Sequence, residues 1–82
     1  MTMERSGLER RLREAVVEQS GNVPEVVKAE ASFANDLGMD DLDVTELVMF
    51  AEFDLNIDIP EDALEQMKTF GDFCDAVEKR LP

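Results

Sequence analysis

The chain predicts an all-α fold, a small four-helix bundle with one short helix and a long loop between its first two helices. Apolar residues recur at the three- and four-residue spacing of helical faces, and no segment alternates with the period of a half-buried strand. Glycine, asparagine, proline and cap residues break these stripes into separate lengths. No internal repeat is present, and 82 residues leave room for one small domain, 1–82, which buries a modest share of its surface and has a thin stability margin.

The first helix is expected from about Glu4 to Gln19, where Leu8, Leu12, Ala15, Val16 and Gln19 share one face. Gly21-Asn22 stops it, because these residues accept the left-handed backbone that ends helices. Pro24 suits the first turn of a brief helical piece. The stretch from Ala29 to Gly38 lacks sustained periodicity and reads as a long ordered loop pinned by Phe33 and Leu37, a length that points to function in a compact domain.

The second helix should begin at Asp40 or Asp41 and reach about Leu55. Asp40 is a good cap, since its carboxylate can accept from the free amides of the first turn, and Asp43 adds negative charge at the positive end of the helix dipole. Leu47, Val48, Ala51 and Leu55 form the inward face, flanked by Leu42 and Met49. Ile57 and Ile59 tuck the exit loop down before Pro60 opens a short helix to about Met67. A last helix follows Thr69, where Thr69-x-x-Asp72 has the form of a capping box with Asp in place of Glu, and its stripe is Phe70, Phe73, Cys74, Val77 and Leu81.

Composition narrows the function. The chain has no histidine, so the commonest general base and a frequent zinc ligand are both missing. No paired acid and base, phosphate loop or partnered nucleophile emerges from the spacing, which argues against an enzyme and assigns no catalytic residue and no metal site. The net charge of −12 is concentrated: Ala29 to Met67 holds twelve acidic residues and no lysine or arginine, while the remainder holds eight of each sign. Such a field repels nucleic acid and anionic membrane and speeds encounter with basic protein surfaces, although an acidic, solvated face also serves solubility. Cys74 is the only cysteine, so no internal disulfide forms, and its place on an apolar stripe gives it a packing role. With no signal-peptide pattern and no run of about 20 apolar residues, a cytoplasmic protein is expected, and a monomer is the expected state, though no residue pattern fixes it.

The run Gly38-Met39-Asp40-Asp41-Leu42-Asp43 stands where the second helix begins. Further blocks are Glu30-Ala31-Ser32-Phe33 with Asp36-Leu37-Gly38, Glu46-Leu47-Val48-Met49, Asp58-Ile59-Pro60 and Thr69-Phe70-Gly71-Asp72. In order and ungapped spacing, from about Val23 to Leu81, the chain resembles acyl carrier proteins, whose signature reads Gly-x-Asp-Ser-Leu-Asp. In that family the serine is esterified by 4'-phosphopantetheine, and here Asp41 occupies its position.

The resemblance implies a carrier module of fatty-acid or polyketide biosynthesis whose second helix docks on basic grooves of acyl-processing enzymes. The matching positions are Leu42, Thr45, Glu46, Met49 and Glu52, which share one side at spacings of three and four. It also implies that Phe33, Leu37, Leu47, Ala51, Ile59, Ala63 and Phe73 line an acyl-chain pocket, or simply form core. Thr45, Ala51 and Leu55 depart from the family's usual valine, leucine and phenylalanine.

A carboxylate cannot supply the alcohol that attachment requires, so no phosphopantetheine is expected unless position 41 were serine. Ser6, Ser20 and Ser32 are no substitutes, because none precedes a Leu-Asp pair at a helix start. Asp41 is either a favourable helix-start residue or a fixed charge imitating the phosphodiester. The chain is correspondingly a serine-to-aspartate variant of a working carrier, or a natural relative kept for protein interaction or regulation. A rival of another class is a calcium loop, since Asp54, Asn56, Asp58, Asp62 and Glu65 fall at liganding positions 1, 3, 5, 9 and 12 of an EF-hand. It fails where the sharp turn wants glycine and the chain has Ile59.

Overall fold

A computed structural model describes residues 4–82. Four helices follow in order: α1 (Arg5–Ser20), α2 (Asp41–Leu55), the short α3 (Glu61–Glu65) and α4 (Phe70–Arg80), with a single 3-10 turn at Pro24–Val26. Helix α1 packs against both α2 and α4. Leu8, Leu12 and Val16 are buried on its inner face, as the periodicity predicts. Gln19 is not; it is exposed at the last turn, where its side-chain amide donates to the Asp43 carbonyl and to Glu46 of α2.

Helix boundaries follow local chemistry. Gly21 takes φ 78° and its N–H donates to the Val17 carbonyl, closing α1 with a left-handed residue that costs glycine nothing sterically. At the start of α2 the Asp40 carboxylate accepts from the Asp43 amide at 2.9 Å, while Asp43 accepts from the Asp40 amide at 3.1 Å. Thr69 and Asp72 make the same reciprocal box at α4. Two expected boundaries shift: Pro60 caps α3 from outside instead of sitting in its first turn, and α3 ends at Glu65, short of Met67. Leu55 and Leu81 are half-buried at the ends of their stripes, and Leu81 lies one residue beyond α4.

The long loop is held by backbone bonds as well as by side chains. Phe33 N–H donates to the Lys68 carbonyl and Phe70 N–H to the Ala31 carbonyl, both at 3.0 Å, forming an isolated antiparallel bridge between Ser32 and Thr69. Periodicity carries no signal for a pairing of one residue. Gly71 explains how closely the two segments approach: its N–H donates to the Ala29 carbonyl at 2.8 Å, and a Cβ there would lie 2.8 Å from the same oxygen. Phe33 and Leu37 are buried as expected, joined by Ala31 and Met39.

Beneath this loop lies the core. Phe33 and Phe73 meet edge to face with ring centroids 6.2 Å apart, and Arg13 stacks over Phe70 while its guanidinium donates to the Val27 carbonyl. Cys74 is fully buried among these side chains, and burial pushes its thiol up to about 12. The folded state therefore keeps its proton at pH values where an unfolded cysteine, near 8.5, has lost it. Stability tied to this group is complete below about pH 8.5 and declines as pH rises toward 12. Native protein should resist a thiol-reactive disulfide reagent at pH 8 and react promptly once unfolded in urea; fast native labelling would contradict the burial.

Candidate functional site

The start of α2 gathers the chain's most distinctive residues. Gly38 adopts φ 64°, a turn that brings the chain round to the Asp40 cap. Asp41 is the first residue of α2 and is exposed. The N-terminal end of a helix carries unpaired amides and partial positive charge, so acidic residues at positions 40, 41 and 43 are electrostatically suited to it. Asp41 also borders an open groove of about 500 Å³ between α2 and α3, whose walls include Val44, Thr45, Leu64, Met67 and Lys68. Thr45 commits its hydroxyl to the Asp41 carbonyl at 2.8 Å.

Helical geometry then sorts the remaining positions. Leu47, Val48 and Ala51 point inward, which turns Leu42, Glu46 and Met49 outward. Leu42 is 66% and Met49 60% exposed, large values for apolar side chains. Thr45 and Glu46 are exposed beside them. Glu52 is half-buried on the flank, with one carboxylate oxygen accepting from the Ile59 amide at 2.9 Å. Four of the five positions expected to dock thus share an open face, and the fifth, Glu52, fastens the helix exit.

Two aromatic residues on this helix were not among the expected docking positions. Phe53 is 91% exposed and Phe50 47% exposed. Phe53 lies four residues after Met49 and eleven after Leu42, in register with the same face. That spacing was present in the sequence as a second, outward stripe.

The calcium alternative loses its first ligand. Both Asp54 oxygens accept from Arg11 of α1, at 2.6 and 2.8 Å, and this pairing holds the Asp54 carboxyl below the usual carboxylate range. Asn56 serves as the left-handed cap of α2 at φ 54°. Among the described residues, no group of three or more acidic or cysteine side chains converges as a metal cage. The residues that the family resemblance offers for a pocket, Phe33, Leu37, Leu47, Ala51, Ile59 and Phe73, are buried as core, and Ala63 is half-buried beside them.

Comparison with known proteins decides the family. The family model described as a phosphopantetheine attachment site matches residues 10–77, most of the chain. The chain belongs to the acyl carrier protein family. It is similar to the acyl carrier protein of Bdellovibrio bacteriovorus, 44% identical over 70 residues that cover 85% of this chain and 90% of that one. The acyl carrier protein of Wolinella succinogenes is 48% identical over 67 residues, covering 82% and 88%. In three dimensions the fold matches the crystal structure of an acyl carrier protein from Thermotoga maritima with a TM-score of 0.81 and 33% identity, over 95% of this chain and 91% of that one. The helical bundle, the short third helix and the long first loop are therefore those of an acyl carrier. Members of this family are carriers and not catalysts. Fatty-acid biosynthesis is their typical setting, and 4'-phosphopantetheine is the family's group.

Proposed function

We propose that this chain is a single carrier-type domain, monomeric and cytoplasmic, that docks on enzymes of fatty-acid or polyketide biosynthesis through α2. With Asp41 where the family places its attachment serine, it takes up no phosphopantetheine. One observation carries the reading: the exposed side chain that opens α2 beside the groove ends in a carboxylate. Attachment forms a phosphodiester from a hydroxyl oxygen. A carboxylate at this place would give at best a mixed anhydride, which water hydrolyses, so the residues present do not fit the group.

Docking is supported by charge and by shape. Asp41, Glu46 and their neighbours give the outward face of α2 a negative field within a segment that holds no cation, while Leu42 and Met49 supply apolar contact. A complementary partner presents lysines and arginines around an apolar cleft. The second reading, a relative kept for protein interaction or regulation, shares this face and differs only in whether the helix is still recognised for loading.

A broad-specificity phosphopantetheinyl transferase tests docking without requiring the reaction. Calorimetric titration should give saturable binding that weakens as salt is raised, and Glu46→Lys should reduce affinity by about an order of magnitude. Affinity indifferent to both changes would remove the acidic face from the reading.

A further inference from the structure

We infer that the docking face of α2 has two parts, and that its C-terminal half, built on Phe53 with Phe50, is an aromatic anchor for a protein partner whose cleft is apolar and bordered by lysine or arginine. The inference rests on the reading of α2 as the docking helix and adds what the partner must offer along it. Phe53 is 91% exposed and Phe50 47% exposed, and with the exposed Met49 they stand at helix spacings of three and four, which sets apolar side chains side by side on a strongly acidic protein.

Internal pairing distributes the charge along the helix. Near Phe53 the charge of Asp54 is paired by two bonds from Arg11, while Glu52 keeps its charge and turns one oxygen inward to the Ile59 amide. Toward the N-terminal half, the exposed acids Asp41 and Glu46 make no ion pair with any cation among the described residues, Glu46 accepting only from the neutral Gln19 amide. At 1.5 Å per residue, Phe53 lies about 10 Å beyond Glu46 along the axis. The complementary surface therefore places its cations against the first half of α2 and an apolar socket about two turns further on.

A second copy of this chain is a poor occupant, because it would bring one acidic face against another at a net charge of −12 each. An anionic bilayer is repelled for the same reason. A basic partner with an apolar cleft satisfies both halves.

The test uses three designed helical peptides titrated into the full chain, followed by amide NMR shifts and calorimetry. One carries a leucine face bordered by lysines, the second the same face bordered by glutamates, and the third lysines with serines replacing the leucines. The leucine-lysine peptide should bind with the largest shifts at Phe50 and Phe53, and each of the other two at least about tenfold more weakly. Phe53→Glu should weaken the first peptide by about tenfold or more, in line with losing burial of one aromatic side chain, and its unchanged melting curve would show the fold intact. Equal binding of the lysine-serine peptide, indifference to Phe53→Glu, or a dimer in sedimentation that Phe53→Glu dissolves would each overturn the anchor. Loss with Glu46→Lys alone sinks the anchor and leaves acidic docking standing. Loss with Phe53→Glu alone keeps the anchor and sinks acidic docking.

Discussion

Phe73→Ala will lower the melting temperature by at least about 12 °C. Phe73 is fully buried, meets Phe33 edge to face and lies at the centre of the α4 stripe, so truncation removes its burial and leaves a cavity that rigid neighbours cannot fill. Such a change costs about 3–5 kcal/mol. An 82-residue domain at the usual margin per residue has only about 4–12 kcal/mol in total. Phe53→Ala removes the same chemical group from a site that is 91% exposed, and it should change stability by no more than about 0.5 kcal/mol. Thermal and urea unfolding followed by circular dichroism reads both. Parallel losses in the two variants would mean that core and surface are wrongly divided between these phenylalanines.

Asp41→Ser will yield a chain that is modified by a broad phosphopantetheinyl transferase and coenzyme A, where the aspartate chain is expected to stay unmodified. The substitution replaces a carboxylate with the hydroxyl that attachment requires and disturbs little else. The Asp40–Asp43 box that starts α2 is made by its neighbours, and Thr45 bonds to the backbone carbonyl of position 41, which any residue supplies. Losing one negative charge from the first turn costs about 0.3–1 kcal/mol, too little to unfold the helix. Complete conversion in the intact mass spectrum is the expected result. A serine variant that folds and remains unmodified would show that α2 has also lost recognition, and the chain would then be a dedicated interaction module.

Much of this architecture was legible because it rests on local rules. The caps at Asp40 and Thr69 follow from a short side-chain acceptor three residues before an acidic partner, and the inward stripes of α1, α2 and α4 follow from the helical period. What escaped depends on distance in sequence or on competition for one group. The Ser32–Thr69 bridge and the close approach of Gly71 to Ala29 join segments with no local signature of each other. Gln19 fits the α1 stripe by spacing, yet its amide finds acceptors on α2 and stays at the surface.

The candidate site divides in the same way. Position 41 could be located by its place in a signature at a helix start, and the outward positions Leu42, Glu46 and Met49 by periodicity. The half-buried role of Glu52 could not, because its carboxylate answers an amide seven residues away. Asp54 counts as a calcium ligand by spacing alone, whereas folding brings Arg11 against it. Phe53 was readable as part of the outer stripe, but an aromatic residue on a helix suggests core until the neighbouring helices are in place.

Intact mass of the unaltered polypeptide, measured after prolonged incubation with coenzyme A and an active broad-specificity transferase, bears most directly on this account. Asp41 predicts the unmodified mass, with the serine variant loaded in a parallel reaction to prove the enzyme competent. A pantetheine adduct stable to purification on the aspartate chain would contradict it.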